Sequence, residues 1–187
     1  LRLHPGHHTG DSILEQLKIG MVSQMALDYM HLVCLGVTKR LLSLWVKGSR
    51  DVQLDNKATE RVSEFLVSYK KCVTTEFSRL PRSPKDVNHW KANEFRLVLL
   101  YFGPIVLQPV LERNKYINFI QLSLEIRILC DPEMCIEKND TVNRFLTNFV
   151  NEYSRLYRSG PMTYNTHNLI HLPADVMNFK CSLDRFS

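Results

Sequence analysis

The sequence predicts a mainly α-helical fold with one or two short strands near Asp28. Three observations carry this reading. Apolar residues recur at three- and four-residue spacing through most of the chain after His31. Proline and glycine cluster between those stretches rather than inside them. Apolar–polar alternation is confined to a weak run from Met21 to Asp28. A length of 187 residues points to a single domain able to bury a substantial core. With 44% hydrophobic and 23% charged residues, the composition excludes a disordered chain.

Taken in order, residues 1–10 read as a loop. Ser12-Ile13-Leu14-Glu15 then fits a capping box and starts a short helix that stops near Gly20. Met21–Asp28 reads as a strand. From His31 to about Lys47 the pattern is helical, with Leu32, Leu35, Leu41, Leu42 and Trp45 on a broad apolar face. Lys39, Arg40 and Lys47 fall in its later turns, where cations favour the helix dipole. Gly48–Leu54 is a connector, and Asp55 is placed to cap a helix through Val62, Phe65, Leu66, Tyr69, Val73 and Phe77. Ser78–Asn88, with Pro81 and Pro84, is the longest expected loop. A helix over Lys91–Phe102 meets a break or kink at Gly103-Pro104. Tyr116–Cys130 is apolar on nearly all sides, which places it centrally. Asp131-Pro132 is a turn. Val142, Phe145, Leu146, Phe149, Val150, Tyr153, Leu156 and Tyr157 form the cleanest amphipathic helix, ended by Ser159-Gly160-Pro161. A last helix runs from Asn165 to Leu172 and meets Pro173. No internal repeat or low-complexity segment is present.

The net charge of +5 permits a polyanionic partner without demanding one. Five scattered cysteines (Cys34, Cys72, Cys130, Cys135 and Cys181) and no signal peptide fit reduced thiols in a nuclear or cytosolic protein. The most apolar run, Leu97 to Leu111, is interrupted by two prolines, and a membrane span is not expected. The chain opens on Leu and is read as a piece of a longer reading frame.

The stretch ALDYMHLVCLG sets Asp28 and His31 among apolar residues. A buried carboxylate is costly unless paired, hydrogen-bonded or metal-bound, so Asp28 either caps a helix or does chemistry. At the end of a strand it would stand where α/β sheets bind ligands, and hard divalent ions take one or two carboxylates with water and phosphate oxygens. His31 is placed to orient Asp28, contact phosphate, or satisfy a backbone carbonyl. His167 and His171 share a helix face but lack the glutamate of an HExxH zinc protease. Cys130 and Cys135, or His4, His7 and His8, are weak metal sets with no second pair. No phosphate-cradling glycine loop and no GxSxG elbow occur. Lys70, Lys71, Arg79, Arg82, Lys85, Lys91 and Arg96 interleave with aromatics, a pattern for tracking a nucleic-acid backbone or for a solvated basic loop.

Three blocks in order, LDYMHLVCLGVTKRLLSLW, HWKANEFRLVLLYFGPIVL and YNTHNLIHLPADV, resemble the transposases of CACTA-type DNA transposons, in particular their animal relatives. HHTGDSILEQL is similar to the family's approach to the Asp. The resemblance runs essentially end to end. It implies an RNase H-like core with a DDE set of acids and two Mg²⁺ or Mn²⁺ ions that cut and join DNA phosphodiesters. It makes residues 1–47 a remnant of that core and 48–187 the helical part, with a large insertion. Asp28-Tyr29-Met30-His31 matches the second acid followed by two residues and a His, so the resemblance implies that Asp28 ligates metal and that His31 steadies it at the site's edge. Glu94 is the candidate third acid, expected to face inward at a helix start, with a surface capping role as the alternative. The first acid is expected upstream of this chain, so no strand cleavage is expected of the isolated polypeptide.

The implied partners are transposon-end DNA and, in the parent protein, a second copy of itself. The implied location is the nucleus. Two competing readings stand beside this one: a domesticated or decayed binding module that keeps the basic helical surface without catalysis, and a helical scaffold for a protein partner. Salt separates them, because DNA binding weakens steeply with ionic strength.

Overall fold

The computed structural model describes residues 25–69, 80–157 and 163–186. The fold is mainly helical, as the periodicity predicts, and no strand occurs among the described residues. The described part of the expected strand, residues 25–28, is irregular. The physical reason lies in its backbone bonding. The Leu27 N–H donates to the Asp175 carboxylate at 2.8 Å instead of to a neighbouring strand, and an extended segment with no ladder is not a strand. The capping box at Ser12 and the first residues of that run lie outside the described residues.

The helix expected from His31 begins with a π-wound stretch, Met30–Thr38, and continues as α1, Lys39–Lys47. Leu32, Leu41, Leu42 and Trp45 are buried on one side. Gly36 has a packing reason here: a Cβ at this position would lie 2.5 Å from Asn165 Nδ2. A side chain would therefore push the Asn165 amide aside and crowd the His31 carbonyl, 2.9 Å away. After the connector, Asp55 caps α2, Asn56–Tyr69, by accepting the Ala58 N–H at 2.7 Å. The continuation of α2 toward Phe77 lies outside the described residues.

The expected long loop contains a 3-10 turn, Pro84–His89, whose preceding Ser83 accepts the Lys85 N–H. It leads into α3, Ala92–Leu97, then a π-wound turn, Val98–Phe102, and α4, Gly103–Val106. The break expected at Gly103-Pro104 takes this form. The Gly103 N–H reaches back to the Val98 carbonyl, and Pro104 sits in a first turn, where its missing N–H costs nothing.

α5, Arg113–Cys130, and α7, Asn139–Leu156, form the main helical pair, joined through the short α6, Met134–Glu137. Asn118 donates to the Phe149 carbonyl and Gln121 to the Phe145 carbonyl, so the two run antiparallel. α5 is central but not enclosed: Ile117 and Leu124 are each 52% exposed, which departs from the all-round burial that its apolar composition implies. Trp45 ties the layers together. Its Nε1–H donates to the Tyr157 hydroxyl at 3.1 Å, and its ring meets Phe119 edge-on at 5.6 Å.

The chain ends in α8, Tyr164–Asn168, a 3-10 turn, Leu169–His171, α9, Leu172–Phe179, and a final 3-10 turn, Leu183–Phe186. Pro173 was read as a stop but starts α9, since proline is at home in a helix's first turn. Lys180 then ends α9 in the left-handed region, at φ 51°.

Candidate functional site at Asp28

Asp28 stands immediately before the first helical turn. Its Oδ1 accepts the backbone N–H of His31 at 3.0 Å, and its Oδ2 lies 2.7 Å from His31 Nδ1. With Asp28 ionised, that nitrogen carries the proton and donates it. Both side chains are open to water, Asp28 at 47% and His31 at 66% exposure. The expectation of a carboxylate buried among apolar neighbours is therefore corrected. Tyr29, Leu32, Val33 and Cys34 turn inward, while Asp28 caps the exposed helix end. Partial burial pushes its carboxyl upward. The side-chain and backbone hydrogen bonds from His31 and the charge of His31, with the Met30 N–H, outweigh this and hold it below the ordinary aspartate value.

An open cavity of about 390 Å³ lies beside this turn. Tyr29, Met30 and Cys34 line one side, Ala92, Asn93 and Arg96 of α3 the other, with Asp184 at its edge. Arg96 Nη2 donates to both Asp184 oxygens, at 3.0 and 2.8 Å. Burial pushes the Cys34 thiol up to about 11 and the Cys130 thiol up to about 12, so neither is a thiolate nucleophile at neutral pH.

Glu94 faces inward at the start of α3, as its sequence context predicts, but its oxygens are taken. It accepts Arg82 Nε at 2.9 Å, Arg82 Nη2 at 3.0 Å and the Lys91 N–H at 2.7 Å, with its side chain 2% exposed. The Lys91 bond is the reach-back half of a capping box. On α3 it is Asn93 and Arg96 that line the cavity next to Tyr29 and Met30. Among the described residues, no group of three or more His, Cys, Asp or Glu side chains is arranged to hold a metal ion. One open carboxylate at Asp28 fits a hard ion that also takes water and phosphate oxygens. A two-ion centre is not assembled among the described residues.

The basic residues divide. Arg82 is engaged with Glu94 and with the His89 carbonyl. Lys85 is exposed and pairs with Glu60 at 3.3 Å, and Lys91 is exposed. Lys70, Lys71 and Arg79 lie outside the described residues, as do His4, His7, His8 and Cys72. His167 and His171 set their rings edge to face at 5.9 Å, in no described metal cluster. Among the described residues, Cys34, Cys130, Cys135 and Cys181 form no disulfide.

The residue that sequence reasoning missed is Asp175. It is 2% exposed and its Oδ2 holds the Leu27 N–H, one residue before Asp28. Burial raises its carboxyl above the ordinary aspartate value, and the Leu27 bond and the charge of His171 offset only part of this. The available signal was an acidic residue two places after a helix-starting proline. No described helix is long and apolar enough to cross a membrane. Comparison with protein families, curated proteins and solved structures finds no match to this chain.

Proposed function

We propose that the chain is part of the catalytic region of a DDE-type DNA transposase, with Asp28 as a metal-ligating acid and His31 as the group that orients it. The RNase H-like character of the region around Asp28 belongs to this proposal. So do the nuclear location and a DNA partner met by Lys85, Lys91, Lys70, Lys71 and Arg79. The observation that carries it is the Asp28–His31 pair: an ionised, water-exposed carboxylate whose rotamer is held by an imidazole at 2.7 Å. A cation reaching such a carboxylate meets its exposed face. His31 fixes its orientation and leaves Nε2 free of that bond. When bound, Mg²⁺ or Mn²⁺ supplies an activated oxygen nucleophile and charge stabilisation at the phosphodiester.

The Arg82–Glu94 fork favours a second reading. A candidate third acid neutralised by arginine suits a repurposed or decayed DNA-binding module without catalysis. One titration separates the two. Mn²⁺ added to the full chain should broaden the NMR signals of Asp28 and His31 first, in the millimolar range expected of one carboxylate, and Asp28→Ala should abolish this. DNA binding, measured against salt, should persist in that variant with an unchanged slope. Broadening that ignores Asp28→Ala overturns the metal assignment. Salt-sensitive DNA binding without any Mn²⁺ effect leaves the binding module.

A further inference from the structure

We propose that Asp175 is a positioning residue for the Asp28–His31 pair, acting from α9 across 148 positions of sequence. Residues 25–28, the described part of the stretch leading to Asp28, carry no regular secondary structure. Met25 and Ala26 are exposed and irregular, and Leu27 is partly buried. The bond that ties this backbone to the remote part of the fold is Leu27 N–H to Asp175 Oδ2, at 2.8 Å. Asp28 follows one virtual bond later, about 3.8 Å along the chain. An anchor at Leu27 therefore limits how far the Asp28 Cα can wander.

The acceptor is itself immobile. Leu172 and Val176 on α9 are fully buried, and Asn139 of α7 donates to the Pro173 carbonyl at 3.0 Å. Asp175 lies in the first turn of α9, where the helix dipole favours a negative charge. A bond from an amide to a buried carboxylate is of the stronger, charge-assisted kind. An ionisable group 2% exposed at this place is otherwise a cost. Its Oδ2 accepts from the segment that presents Asp28, and the charge of His171 acts on the same carboxyl. The clasp is independent of metal binding: Asp28 can fail to bind Mn²⁺ and the clasp still stand, and the reverse holds too.

The test is amide hydrogen exchange on the full chain, with the Asp28 carboxyl titration followed in the same samples. In Asp175→Ala, the Leu27 amide should lose about tenfold in protection relative to Leu122 in the core. The Asp28 titration should rise toward the ordinary aspartate value, because the cap geometry with His31 loosens. Asp175→Asn keeps an oxygen acceptor, so it should hold Leu27 protection within about threefold of the wild type and leave the Asp28 titration in place. Unchanged Leu27 protection in Asp175→Ala overturns the proposal. If the alanine variant does not fold, the asparagine variant decides. In either variant, lost Leu27 protection with an unmoved Asp28 titration, or intact protection with Mn²⁺ broadening abolished, overturns positioning, the latter in favour of direct ligation.

Discussion

Replacing Glu94 by Ala separates a structural carboxylate from a metal-ligating one. Three hydrogen bonds end on this side chain, which is 2% exposed. Losing the reach-back bond to the Lys91 N–H costs about 1 kcal/mol, as for other helix N-terminal caps. Truncation also removes about one buried methylene's worth of packing, a further ~1 kcal/mol. The Arg82 end is 42% exposed and returns to water, so the ion pair adds little. The sum is about 2 kcal/mol, which in a chain of 187 residues lowers Tm by roughly 4–8 °C. Glu94→Gln keeps an acceptor for Lys91 and should lose about half as much. Calorimetric melts, with Mn²⁺ titrations on the same samples, read both roles. A melting point that stays put while Mn²⁺ affinity drops would refute the structural account and restore Glu94 as a ligand.

Two further outcomes follow from the core. Burial pushes the Glu125 carboxyl up to about 7 from an unfolded value near 4.5, and its Oε2 has no hydrogen-bond partner among the described residues. Between those pH values the native state keeps a proton that the unfolded chain has lost, so stability falls as pH rises through this window and then levels. Glu125→Gln removes this loss: a gain of at most about 3 kcal/mol at pH 8 and none at pH 4, read by denaturant melts, with an equal effect at both pH values counting against it. Gly103→Ala would put a Cβ 2.5 Å from Phe119 Cζ and against the Val98 carbonyl. Overpacking of this kind costs about 2 kcal/mol, and an unchanged denaturation midpoint would show that the π-wound turn yields freely.

What was legible in the sequence was local. The α7 stripe of Val142, Leu146, Phe149 and Tyr153 is buried as its spacing requires, and Asp55 caps α2. Cap chemistry and period are written within a few residues, so a single sequence exposes them. Pro173 was misread because proline both precedes and follows helices, and only the packing of Leu172 and Val176 decides which. The π-wound turns have no spacing rule of their own. Gly36 meets Asn165 and Gly103 meets Phe119, both contacts distant in sequence. The same holds at the site. Glu94 was correctly read as inward-facing at a helix start, but the side chain that claims it is Arg82, in a segment read as an exposed basic loop. Leu27 and Asp175 are too far apart for any local pattern to join them.

Asp28 and Glu94 are the same chemistry at the same kind of place, the first turn of a helix, and they differ in what a cation would have to displace. A carboxylate has about four lone-pair sites. At Asp28, His31 takes one on each oxygen, the Met30 N–H adds a backbone bond, and the carboxylate stays 47% exposed. At Glu94, an incoming ion must displace the Arg82 guanidinium from a carboxylate that is only 2% exposed, and displacing it also releases the His89 carbonyl. Both helix N-termini carry a partial positive charge that opposes a cation and attracts an anion. On the proposed reading, a divalent ion at Asp28 would be held weakly by the protein alone and more firmly once a phosphate oxygen joined it. The affinity of Asp28 for Mn²⁺ should rise when DNA is present, and Glu94 should take part only in a state where Arg82 has found another anion. A DNA phosphate is an anion of that kind.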